Sequence, residues 1–424
     1  WLAGLGVVGG GVVRLLETNA ALIARRAGRP IEIVAVSARD RSRDRGVDLS
    51  RYRWEDDVQA LATADDVDVV IEMMGGADGA ALTLAQATIA AGKALVTANK
   101  AMIAHHGLTL ARAAEHADTP LKYEAAVAGG IPVIKAIREG ASANEIARVY
   151  GILNGTCNYI LTLMERDGAG FAEALAAAQA KGFAEADPSF DIDGVDAAHK
   201  LSILASLCFG TRLDFERVGI AGVRDLIAAD IREAEALGHR VRLIGMAERS
   251  AAGLYQQVEP CLVPADHPLA YVPGALNAVV AEGNFVGRLF FEGAGAGEGP
   301  TASAIVADVI DIARDEYGPA FAMPVDALDV AATADAGARS GKHYLRLTVE
   351  DRVGVLADIA AAMRDAGVSI ESFIQRAPEA GEAGVVMVLV THVCPSSAVR
   401  QALAALSSNP HVIGRPMHMP ILTL

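Results

Sequence analysis

Gly4-Leu5-Gly6-Val7-Val8-Gly9 stands almost at the start of this chain of 424 residues, and its reading decides the fold of the N-terminal part. The GxGxxG spacing lets backbone amides and a helix N-terminus approach a pyrophosphate, with the last glycine allowing helix and strand to pack closely. Alone it also fits a merely tight turn. The residues beyond it argue for more: a helical pattern over 11–26, a β-branched run over 31–36, an apolar strand over 67–72 ending in Gly75-Gly76, and another over 94–97. Strands separated by helical lengths imply βαβ units and a parallel sheet of the dinucleotide-binding type.

Beyond Tyr123 the rhythm changes. Gly129-Gly130-Ile131-Pro132 reads as a turn, 146–153 as a strand, and 171–181 and 194–208 as helices. A later β-branched run, 256–263, suggests a mixed sheet covered by helices, and a glycine-rich stretch, 293–299, precedes a helix over 301–314. The small, polar segment 333–341 reads as a linker. After it comes a β-α-β-β-α-β order, with strands over 344–349, 370–375, 385–390 and near 417–422, and helices over 355–366 and 396–406. That order is ferredoxin-like. The expected α/β architecture is therefore a Rossmann-type domain over 1–128, completed by a returning segment at about 299–330. An α+β catalytic and dimerisation domain with a mixed sheet comes next, over 129–298, then a linker at 331–342 and a small domain over 343–424.

Composition bounds the function. The chain is 52% hydrophobic and 21% charged, which is globular. A formal charge of −15 disfavours nucleic acid and anionic membranes as partners. No apolar run is long enough for a membrane span, and no charged-then-apolar leader is present. Cys157, Cys208, Cys261 and Cys394 are far apart and lack CxxC spacing, which points to a reducing cytoplasm and to neither disulfides nor zinc. Trp1-Leu2-Ala3 is short for a first strand of about five residues, so a few preceding residues are expected.

Four places can carry chemistry. At the tip of the second strand, Arg39, with Arg41 nearby, can pair with a 2′-phosphate and favours NADP over NAD, unless it is only a solvated basic loop. Lys100, in Thr97-Ala98-Asn99-Lys100, sits where open α/β sheets bind ligands, or is a surface lysine. The richest segment runs from Gly182 to Lys200. Asp196 and Lys200 are i and i+4 on a helix and share a face, Asp193 lies a turn earlier, and Glu185 is on the loop leading in. Acids converging on a lysine suit an amino-acid substrate, with the lysine exchanging a proton. They equally suit an acidic helix start with an ordinary surface pair. Cys157 can be read as a thiol nucleophile, although no histidine lies near it in sequence and buried structural cysteines are commoner.

These motifs together resemble homoserine dehydrogenase with a C-terminal ACT domain, nearly end to end. The most specific are Gly151-Ile152-Leu153-Asn154-Gly155-Thr156-Cys157-Asn158-Tyr159-Ile160-Leu161, and Gly182-Phe183-Ala184-Glu185-Ala186-Asp187-Pro188 followed by Asp193 to Lys200. The resemblance implies reversible NAD(P)H-dependent reduction of L-aspartate 4-semialdehyde to L-homoserine, on the route to threonine, methionine and isoleucine. It makes Lys200 the proton donor, supported by Asp196, with Glu185, Asp191 and Thr156 binding substrate. Gly4, Leu5, Gly6, Val7, Val8, Gly9, Arg39, Lys100 and Gly299 would contact the cofactor. Glu124, Val127, Gly129 and Ile131 would hold a monovalent cation of the sodium type. Asp351, Val353, Gly354, Val355 and Leu356 resemble the ACT turn that binds a small amino acid between paired domains, with L-threonine the expected effector; the alternative is dimerisation alone. A homodimer or homotetramer is expected, and an accompanying kinase activity is not. Rival readings are a thiol-dependent semialdehyde dehydrogenase and a non-enzymatic sensor of nucleotide and amino acid.

Overall fold

The computed structural model describes residues 1–376 and 384–423. Its first layer grows from the glycine loop. β1 (Leu2–Ala3) leads through the loop into α1 (Val7–Thr18) and α2 (Ala20–Ala27), followed by β2 (Ala35–Ser37), β3 (Arg53–Trp54), β4 (Val69–Glu72), α3 (Ala80–Ala90), β5 (Ala94–Thr97), α4 (Lys100–His116) and β6 (Leu121–Lys122). The six strands are parallel in the order β3-β2-β1-β4-β5-β6, so the order reverses between β1 and β4. Ligands of such sheets bind beyond the strand C-termini at that reversal.

Two sequence expectations differ from the fold. The single helix over 11–26 begins earlier, at Val7, and breaks at Asn19, where α1 and α2 bend by 81°. Asparagine competes for backbone hydrogen bonds, and the Asn19 backbone is non-helical, with φ −105° and ψ 18°. The strand over 31–36 shrinks to Ala35–Ser37, because its ladder to β3 begins only where the Arg53 N–H donates to the Val34 carbonyl.

The second layer starts with a short α5 (Val133–Lys135) running into a π-helical turn, Ala136–Gly140. β7 (Ile146–Ile152), α6 (Gly155–Asp167), α7 (Phe171–Ala180), α8 (Ser189–Ile192) and α9 (Val195–Phe209) come after it. Next are β8 (Gly219–Ile220), α10 (Ala228–Ala236), β9 (His239–Ser250), β10 (Gly253–Pro264), β11 (Leu276–Gly283) and β12 (Gly287–Ala294). The sheet order is β12-β11-β7-β9-β10-β8, antiparallel except where β8 joins β10. α9 lies against it and is buried over nearly its whole length, including Asp196, His199 and Lys200. A helix so enclosed must satisfy its polar side chains internally. α11 (Glu298–Ala313) then returns to pack on α1 and α2 in the first layer.

The last layer contains β13 (Ser340–Gly341), β14 (His343–Val349), α12 (Val355–Asp365), β15 (Ile370–Arg376), β16 (Val385–Thr391), β17 (Cys394–Pro395), α13 (Ser396–Ser407) and β18 (Val412–Pro420). Its antiparallel sheet runs β15-β16-β14-β18, the ferredoxin-like order. The final strand starts at Val412, earlier than expected, and Leu422 leaves this sheet to bond the Leu262 carbonyl. Helices α12 and α13 cover one face of the sheet through Leu345, Leu347, Ile359 and Val399. The other face docks on α10, where Tyr344 and Arg346 both donate to the buried Asp230 (3.1 and 2.7 Å), and Arg376 forks onto Glu233 (2.9 and 3.1 Å). The stretch at 331–342 is no free spacer. Ala332 and Ala334 bond Leu254 on β10, and β13 pairs with β17. Among the described residues no single helix is long and apolar enough to cross a membrane.

Candidate active site

A cavity of about 620 Å³ opens beyond the C-terminal ends of β1, β4 and β5, between the parallel sheet and the second layer. Val8, Met73, Gly75, Asn99 and Lys100 line it from one side, and Asn154, Thr156, Asp191, Asp196 and Lys200 from the other. The loops on the sheet side are tied down by the buried Glu72, which accepts from the Met74 N–H (2.6 Å) and from Thr97 Oγ1 (2.6 Å). Asn99 caps α4 by accepting from the Met102 N–H (3.0 Å), which places Lys100 at the first turn, facing the cavity.

The glycine loop is shaped for a dinucleotide. A Cβ on Gly9 would lie 2.3 Å from the Gly4 carbonyl, so helix and loop can close only without it. At Gly6 an added Cβ would meet nothing within 4 Å, which leaves the approach to the loop open. Gly6 is also the uncapped start of α1, whose first turn carries no acid. Its free N–H groups and positive dipole end suit a pyrophosphate. Of the loop residues, Val8 lines the cavity, Leu5 is core and Val7 is exposed. Arg39 is exposed at the end of β2. Arg41 and Arg45 stack over Trp54 (5.5 and 5.7 Å), and Arg45 Nε also donates to the Leu5 carbonyl (2.7 Å). Arg45 is a basic neighbour of the loop that the sequence reading missed, because only the folding of the segment after β2 brings it back to Leu5.

At the cavity's centre Asp196 accepts from two lysines. Lys200 Nζ lies 2.8 Å from its Oδ2, and Lys100 Nζ lies 3.0 Å from its Oδ1. Burial alone would raise the Asp196 pKa, but the Lys200 and Lys100 charges outweigh it and hold the carboxyl well below its usual range. Asp196 in turn raises the Lys100 pKa, against the effect of burial, with Asp191 and Glu185 adding to it. Lys200 also donates to the Leu153 carbonyl (2.7 Å). An ammonium has three protons, so one remains for a ligand in the cavity that Lys200 lines.

The acids predicted to converge divide into two groups. Asp191 and Asp196 are on the cavity wall; Asp191 accepts from Asn154 (2.8 Å) and Thr156 Oγ1 (3.2 Å). Burial and the Asp196 charge push the Asp191 pKa up, against those hydrogen bonds and the Lys200 charge. Asp193 points away, paired with Arg224, because Gly194 takes a left-handed φ of 90° before α9 begins. Glu185 is exposed on its loop, and its carboxylate is felt at Lys100 only as a charge. Cys157 is fully buried with Sγ 3.3 Å from the Asp191 carbonyl, and burial pushes its thiol pKa well up, so a thiolate nucleophile does not fit. Beside Lys200, His199 meets His105 of α4 (Nε2 to Nε2, 3.1 Å) between Phe190 and Phe215; burial, then His105, lowers its pKa to about 4.

Near the cavity, Glu124 is buried and accepts the Ile134 and Lys135 N–H groups, 2.9 Å each. Burial, then the Asp308 charge, raises its pKa to about 7. Asp308 Oδ1 is buried with no hydrogen bond and faces the Lys135 ammonium at 3.7 Å, and Ala128 and Gly129 adopt left-handed backbone. Among the described residues no three His, Cys, Asp or Glu side chains gather to hold a metal. The donors on hand are carboxylate and carbonyl oxygens, with spare lone pairs, which fit a hard monovalent cation rather than zinc. In the returning segment, Gly297 and Thr301 line the cavity and Gly299 does not. In the last layer Val355 is part of the core, whereas Asp351, Val353 and Leu356 are exposed.

Comparison with known proteins agrees along the whole chain. Residues 4–124 match the model "Homoserine dehydrogenase, NAD binding domain", 132–310 match "Homoserine dehydrogenase", and 343–411 match "ACT domain". A homoserine dehydrogenase of Pseudomonas aeruginosa is 43% identical over 97% of this chain and 96% of its own length; one of Neisseria gonorrhoeae is 41% identical over 96% and 94%. The crystal structure of a homoserine dehydrogenase from Thiobacillus denitrificans superposes with a TM-score of 0.93 at 40% identity, covering 99% of this chain and 97% of that one.

Proposed function

The chain belongs to the homoserine dehydrogenase family, oxidoreductases acting on a CH–OH group, and from that premise we propose how its site works. It interconverts L-aspartate 4-semialdehyde and L-homoserine, on the route to threonine, methionine and isoleucine, with NADP preferred over NAD. The observation that carries the reading is Asp196 held between two lysines at the wall of the dinucleotide cavity. A bound nicotinamide cofactor would supply or accept the hydride. Lys200, held by Asp196 and the Leu153 carbonyl, directs its remaining proton at the carbonyl oxygen, stabilising the developing alkoxide and then protonating it. Lys100 is close enough to share that task and to touch the cofactor.

Asp191 and Thr156 face the same space and bind the amino alcohol end of the substrate; Glu185 would join them only if its loop closes inward. Arg39, with Arg45 beside it, offers a guanidinium to a 2′-phosphate. Glu124 with the carbonyls of Val127, Gly129 and Ile131 would hold a sodium-type ion, supported by the oxygen-only donors. The exposed turn Asp351 to Leu356 would bind L-threonine between paired ACT domains of a cytoplasmic homodimer or homotetramer. The test is homoserine oxidation with NAD and with NADP, each with and without threonine. No turnover with either cofactor would overturn the reading, and a rate indifferent to threonine would remove the effector. The Lys200→Ala variant is expected to bind NADPH and lose turnover.

A further inference from the structure

We propose that Asn154 is a positioning residue of this reaction: its amide nitrogen bridges the Asp191 and Asp196 carboxylates and thereby aims the Lys200 ammonium, while its amide oxygen does a separate job at the start of α6. The inference rests on the proposed dehydrogenase reaction and goes beyond it, from the groups that meet substrate to the one that sets their geometry.

Asn154 is 3% exposed, and every polar atom of its side chain is committed. Oδ1 accepts from the Cys157 N–H (2.8 Å), which caps α6. Nδ2 donates one proton to Asp191 Oδ1 and the other to Asp196 Oδ2, both at 2.8 Å. A neutral amide thus holds two like charges close together, and Oδ2 of Asp196 is the same oxygen that receives Lys200. The preceding residue, Leu153, accepts a second Lys200 proton through its carbonyl. Two consecutive residues therefore fix two of the three Lys200 protons, Leu153 directly and Asn154 through Asp196. The third is directed by exclusion. Without the Nδ2 bridge, Asp196 would be held by the two lysines alone, and the repulsion between the Asp191 and Asp196 carboxylates would lose the donor that now sits between them and displace the Lys200 partner.

The cap and the bridge can be separated. Asn154→Ser keeps a capping oxygen and loses the bridge without adding charge. Asn154→Asp keeps both cap and shape, since aspartate caps as well as asparagine, but replaces the donor with a third carboxylate. Asn154→Ser should melt somewhat below the parent for the two lost hydrogen bonds, and Asn154→Asp lower still, because it buries a third carboxylate beside two others. Asn154→Ser should lose roughly 10- to 100-fold in kcat, with little change in KM for the nicotinamide cofactor, as a misaimed proton donor would. Asn154→Asp should lose more, and the acid limb of its kcat profile should move up by about one pH unit or more as three carboxylates share protons.

Parent-like kcat and pH profiles in both variants would overturn the proposal, leaving Asn154 a helix cap. So would losses that track melting temperature with unmoved pH limbs. If the parent itself did not oxidise homoserine, the functional reading would fall while the bridge stayed testable. Carbon-13 titration of labelled aspartates, with Asp191 identified through Asp191→Asn, should show the Asp191 and Asp196 resonances titrating differently in Asn154→Ser; unchanged titrations would refute the bridge.

Discussion

Replacing Asp196 by asparagine keeps the shape at the centre of the cavity and removes the charge that both lysines share. At 3.0 Å and an effective dielectric constant of 20, Asp196 and the Lys100 ammonium attract by about 5 kcal/mol, and this attraction is the largest influence raising the Lys100 pKa. The Lys100 side chain is 34% exposed, so solvent screening reduces the attraction to a fraction of that figure, and losing it lowers the Lys100 pKa. Burial, which already opposes the charged form, would then act with less opposition, and Asp191 and Glu185 would offset only part of the loss. Breaking a buried pair by deleting one partner also costs about 3–5 kcal/mol of stability. The Asp196→Asn variant should therefore melt lower, and carbonyl reduction should fall at least about 100-fold. What activity remains should show an alkaline limb displaced downward, because reduction needs a protonated lysine and Lys100 loses the charge that raises its pKa. The assay is semialdehyde reduction followed by NADPH absorbance from pH 6 to 10, together with calorimetry. A variant whose alkaline limb matches the parent's would refute the shared-charge argument, even if its rate were low.

Cys157→Ser should stay within about threefold of parent turnover, since the thiol faces the core and points at a backbone carbonyl; a complete loss without unfolding would revive a thiol mechanism. Arg39→Ala should raise KM for NADP by roughly tenfold or more, as expected for a lost charge-assisted hydrogen bond, and leave NAD nearly unchanged in steady-state kinetics; equal effects on both would remove Arg39 from the 2′-phosphate. Burial holds His343 at a pKa of about 4, below its unfolded value of 6.5, so its contribution is complete above pH 6.5 and is lost as pH falls through 4. That difference amounts to roughly 3 kcal/mol. Denaturant unfolding at pH 7.5 and 4.5 should accordingly show a smaller acid loss for His343→Gln than for the parent, and equal losses would contradict the assignment.

How much of this was legible in the sequence depends on whether the partners are local. The glycine loop, the parallel strands and the ferredoxin-like order follow from short-range patterns of 2.0 and 3.6 residues, and the chain adopts them. Asp196 and Lys200 are equally local: four residues apart on one helix, they had to share a face, and they do. Asp193 shows the limit of that reasoning. Its spacing placed it on the same face, but Gly194 turns the backbone before the helix starts, and the carboxylate goes to Arg224 instead. Glu185 is close in sequence and still stays outside the cavity wall.

Sequence by itself therefore determined the elements and the family, because hydrogen-bond ladders, helix faces and glycine turns depend on neighbouring residues. Only the tertiary structure decided which groups share a charge. Lys100 starts a helix of the nucleotide layer, Asn154 starts one in the second layer, and Asp196 lies on a third; their meeting depends on how two layers pack around one cavity. Coulomb energy falls with distance and rises with burial, and neither quantity is written in residue spacing once the chain has turned a corner.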